Sequence, residues 1–319
     1  MEREPHITLP PSPIKRRGWQ RDVDHLKELT ALRRETDIFK DELSVKVDTQ
    51  GFPYFFLLPL SDVHLGHIGT DYEALETYIR TIQEYPFYTV TLGDMGDFFN
   101  PKILASAMMG DVVDAGGQME AIQGFYGAIK EKTLGIVDGN HERFSHSASG
   151  VEVYRWITED AGIPLLNSGA EMNLDVNGIQ YKGILAHRFA KVNSMFNKTH
   201  AGKQAARFHS EDIDFVISGD KHLGAAEQTY MGGKPITVIQ TGTFKTDDQW
   251  GKSVGFIEPP NIFFPVLAFD TRRKNIEVVR DLDAAVEFAE AIEDIWKRGR
   301  KKDLRKKKEA VKDTKVETI

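Results

Sequence analysis

Apolar and polar residues alternate along the chain in blocks that predict strands and helices in turn. Residues 54–60 are almost all apolar, which is typical of a strand buried on both faces of a parallel sheet. Apolar residues recur at helical spacing over 72–82, and further apolar runs cover 87–92 and 133–138. A helical stretch over 117–131 precedes the last of these runs. The order strand, helix, strand, helix, strand predicts a parallel sheet with right-handed helical crossovers.

The rest of the chain consists of one flanking segment at each end and a set of shorter strands. Residues 19–44 predict a helix with leucines near one side, and residues 283 to about 310 predict another helix. We therefore divide the chain into an N-terminal extension over 1–50, a main domain over 51–282 and a helical, basic tail over 283–319. Further strands are predicted at 179–186, 213–218, 226–230, 236–240, 263–270 and 275–281.

Composition narrows the classes of protein to which this chain can belong. The chain has 319 residues, of which 40% are hydrophobic, so a sizeable core is expected, and it has no cysteine. The absence of cysteine excludes disulfides, thiolate metal sites and a cysteine nucleophile. No apolar leader and no run of about 18 apolar residues is found, so we expect a cytoplasmic protein without a membrane partner.

Charge is distributed unevenly along the chain. The net charge is −7, but residues 297–308 hold nine basic residues and one acid, a local charge of +8. The remaining residues therefore sum to −7 − 8 = −15. So dense a basic segment attracts polyanions, and we expect it to contact nucleic acid. The alternatives are an RNA or protein partner and a solvated segment with no specific partner.

Polar residues with metal-binding side chains follow five of the predicted strands directly. In open α/β sheets, ligands bind beyond the carboxyl ends of the strands, so these side chains are expected at one rim. Two divalent ions about 3.5–4 Å apart can clamp the attacking and the leaving oxygen of a phosphoryl displacement. The pattern therefore predicts a two-metal site for phosphoester chemistry. Its residues are Asp62, His64, Asp94, Asp97, Asn140, His141, His187, Asp220 and His222.

The motifs D-x-H, G-D-x-x-D, G-N-H-E, a later single His and G-x-x-H occur in this order over about residues 53–240. Together they resemble the calcineurin-like metallophosphoesterases. The wider sequence is most similar to phage-encoded members and to phosphoesterases of the DNA-repair-exonuclease type. The resemblance implies a four-layer α/β/β/α sandwich with two mixed sheets, to which the N-terminal helix and the basic tail are additions.

The resemblance also implies a role for each motif residue. His141 would not bind metal but would stabilise the transition state or protonate the leaving oxygen, and Asp97 would orient His141. A hydroxide between the two metals would be the nucleophile. Seven positions would be metal ligands: Asp62, His64 and His222 at the first metal, Asp94 between the metals, and Asn140, His187 and Asp220 at the second.

Two positions depart from the family pattern. The family usually has His-x-His in the last motif, where this chain has Asp220-Lys221-His222. A carboxylate there favours a harder ion, so Mn²⁺ is the metal we expect first, with Mg²⁺, Fe or Zn²⁺ as alternatives. Phe98 stands where the protein-phosphatase branch has an arginine that grips phosphate. Arg143 or Arg188 would bind the substrate phosphate instead.

The predicted function is hydrolysis of phosphodiesters in nucleic acid by a metallophosphoesterase, in the manner of a nuclease. A small-molecule phosphodiesterase or phosphatase is one alternative. Another is a nucleic-acid-binding protein whose catalysis is weakened because Asp220 impairs the second metal site. His141 argues against that last alternative, since a metal site that serves only structure has no use for a histidine that binds no metal.

Overall fold

The computed structural model describes most of the chain, and the chain divides into two compact units, Met1–Ile38 and Phe39–Ile319. The first unit contains helix α1, Trp19–Thr36. None of the helices in the described part is long and apolar enough to cross a membrane. The described residues are 19–36, 40–98, 110–150, 153–154, 161–189, 197–209, 212–247 and 260–316.

The second unit combines a large sheet with helices. Its helices are α2 (Tyr72–Glu84), α3 (Ala115–Ile129), α4 (Asn140–Ser149), α5 (His200–His209) and α6 (Leu282–Val316). Its strands are β1 (Lys40–Val47), β2 (Tyr54–Leu60), β3 (Phe87–Thr91), β4 (Thr133–Val137), β5 (Leu165–Val176), β6 (Ile179–Ala186), β7 (Phe215–Ser218), β8 (Ala225–Met231), β9 (Lys234–Gln240), β10 (Val266–Asp270) and β11 (Ile276–Val279).

The strands form one hydrogen-bonded sheet in the order β11-β10-β2-β3-β4-β5-β6-β7-β9-β8, with β1 paired to β5 beside this path. Strands β2, β3 and β4 are parallel, as the predicted crossovers require. Strands β6, β7 and β9 are also parallel, whereas β5 and β6 form an antiparallel pair. The sheet is therefore mixed, with a parallel group on each side of β5.

The two sides of this sheet face each other across the main core. Phe269 of β10 packs against Tyr181 of β6 and Phe215 of β7, with ring centroids 5.0 and 5.4 Å apart. Neither β6 nor β7 is a neighbour of β10 in the sheet, so these contacts cross from one half to the other. The two sheets predicted from the sequence are thus two halves of one sheet that folds back on itself.

Helices cover the outer faces of both halves. Helix α2 lies against β3 and α3 and buries Leu75, Tyr78 and Ile82. On the other half, Ala206 of α5 packs into a second apolar cluster with Val216 and Val238. The architecture is the predicted α/β/β/α arrangement, built because each apolar helix stripe buries against a sheet face that is also apolar.

One local prediction is corrected, and the structure adds one strand. The helix predicted over 19–44 ends at Thr36, and residues 40–47 form β1, whose Leu43 is buried in the core. The proposed boundary near residue 50 therefore falls after the first strand of the sheet. The sequence also gave no prediction for β5, although its residues Ala170 to Val176 alternate between buried and partly exposed positions, the period of a strand.

Candidate metal centre

The carboxyl ends of five strands meet at one rim of the sheet, and each end is followed by a predicted ligand. Strand β5 explains how strands from both halves reach the same place. Its Leu166 pairs with Val137 at the end of β4, and its Gly169 pairs with Ala186 at the end of β6. The backbone N–H of His187 also donates to the Ser168 carbonyl at 3.0 Å. The strand that the sequence missed thus joins the two groups of ligands.

Five of the predicted site residues have left-handed backbone conformations, which non-glycine residues rarely adopt. Each such residue costs about 1–3 kcal/mol, and such residues concentrate at functional sites. Hydrogen bonds between the strand-end loops hold the conformation, since Asp62 N–H donates to Gly93 at 3.0 Å and His64 N–H to Asp94 at 3.2 Å. The five residues are Asp62, His64, Asp94, Asp220 and His222, with φ of 50°, 51°, 52°, 75° and 56°.

Two glycines allow the loops after β3 and β4 to touch. Gly93 has φ of +81°, and a Cβ added there would overlap the Cα of Gly139. A Cβ on Gly139 would in turn overlap the backbone nitrogen of Asp94. This close approach lets the Asp94 carboxylate accept a hydrogen bond from the His141 backbone N–H at 3.0 Å. The two motifs therefore form a single surface.

The first predicted ligand group is assembled in the structure. Ligand atoms of Asp62, His64 and His222 all lie within 4.8 Å of one another. The two imidazole Nε2 atoms are 3.1 Å apart, and His222 Nε2 is 3.3 Å from Asp62 Oδ1. Two ring nitrogens and a carboxylate oxygen that converge in this way are a suitable set of ligands for a divalent ion with mixed nitrogen and oxygen coordination.

The second predicted group lies beside the first and shares a residue with it. Asp62, Asp94 and His187 also offer ligand atoms within 4.8 Å of one another, so Asp62 belongs to both groups. His187 Nε2 is 3.3 Å from Asp94 Oδ2 and 2.7 Å from Asn140 Oδ1. The shared residue is thus Asp62, which the sequence assigned to the first metal only, whereas Asp94 lies in the second group alone. That Asp94 lies between two metals stays a prediction, and Asn140 lies beside His187.

The orientation of the rings fits metal binding. His187 Nδ1 lies 2.5 Å from the Leu92 carbonyl, which can only accept, so this nitrogen carries the proton and Nε2 faces the cluster. His64 Nδ1 lies 2.8 Å from Asp97 Oδ1, which leaves its Nε2 facing His222. Metal-binding histidines commonly donate their second ring N–H to a carbonyl or carboxylate in this manner.

The electrostatics of the cluster favour the uptake of positive charge. Burial by itself lowers the pKa of His187, but Asp94 and Asp62 outweigh burial and raise this pKa to about 10. Burial likewise opposes ionisation of Asp94, yet the charge of His187 keeps the pKa of this carboxyl below its usual range. The buried carboxylates of the cluster carry negative charge, and a divalent ion bound among them would neutralise that charge.

His141 and Asp97 lie together, as predicted, but Asp97 serves two rings. His141 Nδ1 is 3.3 Å from Asp97 Oδ1 and 3.2 Å from the Asp97 carbonyl. The same Oδ1 is closer to His64, at 2.8 Å. His141 Nε2 is 3.7 Å from Asp94 Oδ2, so the ring stands at the edge of the ligand cluster. Burial lowers the pKa of His141, but Asp94 and Asp97 together raise it.

Asp220 and the two candidate phosphate-binding arginines lie at the rim of the site. Asp220 Oδ1 is 3.8 Å from His187 Nε2, and its Oδ2 is 3.4 Å from Arg188 Nε. Arg143 donates to the Ser168 hydroxyl at 2.9 Å and lies 3.7 Å from Asp138. Both arginine side chains are more than half exposed, at 54% for Arg143 and 57% for Arg188, so both can reach a substrate.

The structure adds three residues that sequence reasoning did not assign. The Glu142 carboxylate accepts from the backbone N–H groups of Asp94 and Met95 at 3.2 and 2.8 Å, and from the Tyr154 hydroxyl at 2.6 Å. Lys245 places its ammonium 3.4 Å from Asp97 Oδ2. Glu142 could have been found as the last letter of G-N-H-E, whereas no motif marks Tyr154 or Lys245.

Comparison with known proteins gives only distant matches. No protein-family model matches this chain, and no curated protein matches its sequence. A predicted phosphoesterase from Streptococcus pneumoniae is 14% identical, with 71% of this chain and 90% of that chain covered and a TM-score of 0.36. A putative 5′-nucleotidase from Staphylococcus aureus is 15% identical, with 76% and 58% covered and a TM-score of 0.41. The sulfate thiohydrolase SoxB from Thermus thermophilus is 10% identical, with 77% and 60% covered and a TM-score of 0.33. At such identities and scores, these matches assign no activity to this chain.

Proposed function

We propose that this chain is a metal-dependent phosphoester hydrolase that acts on phosphodiesters of nucleic acid. The observation that carries the proposal is the convergence of two ligand groups around Asp62, with His141 at their edge, where it forms a third group with His64 and Asp97. A site for a purely structural metal would need the ligands but not this histidine. Metal ligands next to a carboxylate–histidine pair such as Asp97 and His141 are an arrangement suited to hydrolysis.

The donor set suits two divalent ions. Asp62, His64 and His222 would hold one ion, and Asp94, Asn140 and His187 the other, with Asp220 near enough to join the second group. Bound ions of this kind neutralise phosphoryl oxygens and lower the pKa of water. The mixed carboxylate, amide and imidazole set is compatible with Mn²⁺, which remains our first candidate.

The residues of the chain itself have distinct tasks in this proposal. His141 would hold a proton on Nε2 and pass it to the leaving oxygen, because Asp94 and Asp97 favour the charged ring. Asp97 would fix the ring through Nδ1. Arg143 and Arg188 would orient the substrate from the exposed side, since an arginine can bind a phosphate with two parallel hydrogen bonds.

The nucleic-acid part of the proposal rests on helix α6. This helix runs to Val316, so its last 20 residues extend over about 30 Å. Residues 297–301 are exposed, and the segment 297–308 carries a charge of +8. Attraction of such a segment to a phosphate backbone does not depend on base sequence. We therefore expect the tail to recruit a polymer, while the rim performs the chemistry.

The experiment that tests the proposal is hydrolysis of a panel of substrates by the full chain with Mn²⁺. The panel contains bis-p-nitrophenyl phosphate, p-nitrophenyl phosphate, single- and double-stranded DNA, RNA and cyclic nucleotides. We expect turnover of the diester and of at least one polymer. Turnover of small esters without any polymer would favour a small-molecule phosphodiesterase or phosphatase. Binding of DNA without turnover of any substrate would contradict the hydrolase.

One observation supports the alternative of a binding protein with weakened catalysis. Asp220 divides its carboxylate between His187 and Arg188, and the contact to Arg188 is the shorter one. A carboxylate engaged by arginine is a poorer metal ligand, so the second ion would bind less tightly than the first. Measuring how many Mn²⁺ ions bind per chain separates the two candidates, since the hydrolase requires two.

A further inference from the structure

A buried lysine outside every predicted motif lies against the catalytic histidine network. Lys245 is 6% exposed, and its Nζ is 3.4 Å from Oδ2 of Asp97, which is itself 3% exposed. A buried ammonium is costly unless a carboxylate and hydrogen bonds compensate for its lost hydration. The pair therefore lies in a fixed environment, unlike an ion pair on the protein surface.

The carboxylate of Asp97 divides its two oxygens between different partners. Oδ1 faces the Nδ1 atoms of His64 and His141 at 2.8 and 3.3 Å, and Oδ2 faces Lys245. A carboxylate held only through Oδ1 could rotate about its Cβ–Cγ bond and would present either oxygen to the rings. The contact at Oδ2 removes this freedom, so the positions of both rings depend on the lysine.

The backbone that carries Lys245 is tied to the loop that carries the first ligands. The Lys245 N–H donates to the Thr243 hydroxyl at 2.9 Å, and that hydroxyl donates to the Asp62 carbonyl at 2.6 Å. The Phe244 N–H also donates to the Asp62 carbonyl, at 3.2 Å. Lys245 therefore has a fixed origin relative to Asp62, and its long side chain reaches Asp97 from a rigid base.

We propose that Lys245 is a positioning residue of the metal centre, which holds Asp97 so that His64 faces the first metal and His141 faces the leaving oxygen. The part of this inference that concerns His141 rests on the proposed function. The part that concerns His64 is a statement about metal binding alone. Partners of metal ligands usually change affinity by about 10–100-fold when they are removed. Lys245 is one step further away, and among the described residues it is the only lysine or arginine in contact with Asp97.

The test compares Lys245→Met with Lys245→Arg by two measurements. The first is Mn²⁺ affinity of the metal-free chain by titration calorimetry, and the second is kcat and KM for bis-p-nitrophenyl phosphate at saturating Mn²⁺. We expect Lys245→Met to lower Mn²⁺ affinity and kcat by about 10-fold each, with KM within about twofold. Lys245→Arg keeps the charge and should restore most of both losses.

The matched control is Lys203→Met, which removes a partly buried lysine that contacts a carboxylate, Glu227, at 2.8 Å. It should leave Mn²⁺ affinity and kcat unchanged. A fall in thermal stability of Lys245→Met, with wild-type Mn²⁺ affinity and kcat in the folded protein, would reduce Lys245 to a structural residue and overturn the proposal.

A second pair of variants tests the role of Lys245 if Lys245→Met does not fold. Asp97→Asn and Asp97→Asn/Lys245→Met are compared, and the double variant leaves neither charge buried alone. If Lys245 acts through Asp97, the added substitution changes Mn²⁺ affinity by less than about twofold, since coupled residues are not additive. A further 10-fold loss in this background would overturn the proposal. A wild-type chain that cleaves no diester would contradict the proposed function, while the Mn²⁺ affinities would still decide the role of Lys245.

Discussion

The rim of the sheet and the C-terminal half of α6 both concentrate charge, but they do so in opposite ways. At the rim, carboxylates such as Asp62 and Asp94 are buried, and each has partners at hydrogen-bonding distance. On α6, Lys297 and Arg298 face Glu293 and Asp294 of their own helix, and all four side chains are about half exposed or more. The stability of a buried charge depends on its partners, whereas the interactions of exposed charges are screened by water and salt.

This contrast predicts which properties a substitution in each region will change. Removing one member of a buried ion pair leaves an uncompensated charge and costs about 3–5 kcal/mol, whereas exposed pairs contribute about 0–1 kcal/mol. Rim variants should therefore change metal binding and turnover strongly. Variants of α6 should change only the attraction to polyanions, which depends on the number of charges and on ionic strength.

The largest effect is expected for Asp94→Ala. Asp94 contacts His187, the His141 backbone and the ring of His141, so its loss removes a proposed metal ligand and a counter-charge together. Metal affinity should fall by more than about 100-fold, the upper value for residues that only support ligands. Elemental analysis and rates on bis-p-nitrophenyl phosphate measure both changes. Asp212→Ala, at an exposed carboxylate, is the control and should match the wild type.

The next effect separates catalysis from metal binding at the same rim. His141→Ala should keep its metal and lose about 10²–10⁴ in kcat, the usual contribution of a positioned acid or base. His141→Gln, which keeps a polar side chain without an acid of suitable pKa, should show a similar loss. Loss of bound metal in His141→Ala, with metal retained in Asp94→Ala, would mean that the two roles are exchanged.

Most of the rim could be predicted from the sequence because its chemistry lies in short segments at strand ends. Asp62 with His64, and Asn140 with His141, are two or fewer residues apart, so a local pattern is enough to find them. Lys245 lies 148 residues from Asp97, and only the fold brings the two together. A single sequence carries no signal for a contact of that kind.

The fold was predictable where strands are apolar on both faces and less so elsewhere. β2 reads YFFLLPL and is buried almost throughout, whereas β5 reads LLNSGAEMNLDV and is buried on alternate residues. The alternation from Ala170 to Val176 was a sufficient signal for a strand with one polar face. The predicted helix extends over residues 40–44 of β1 because the charged residues there continue the polar pattern of α1, and the pairing of β1 with β5 overrides that local preference.

A smaller effect is expected at Asp220, where the rim meets exposed arginine. If Asp220 binds the second metal, Asp220→His should shift the ratio of Zn²⁺ to Mn²⁺ affinity by about 10-fold, since imidazole suits softer ions. Asp220→Asn keeps an oxygen donor and serves as the matched variant, with less shift toward Zn²⁺. An unchanged metal preference, combined with a raised KM, would instead assign Asp220 to holding Arg188.

The smallest effect on chemistry, and the one that tests the other region, is expected for the basic helix. Lys297 pairs with Glu293 at 2.7 Å and Arg300 lies over Trp296 at 4.8 Å, so the main variant leaves these positions unchanged and addresses the basic residues of 301–308. If about five of these residues contact phosphates, the log–log salt slope for duplex DNA should be about −4.5, from about 0.9 per contact.

Glutamine is a good helix former, so replacing the six basic residues of 301–308 by glutamine should keep the helix and bring the slope toward zero. The control replaces only Lys297 and Arg298, whose charges already face Glu293 and Asp294, and should keep most of the slope. Turnover of bis-p-nitrophenyl phosphate should stay within about twofold in both variants, because none of the predicted ligands lies beyond His222 and ion pairs this exposed contribute little. Equal DNA affinity and an equal salt slope in all three proteins would contradict recruitment by α6 and would favour a small-molecule phosphoester as the substrate.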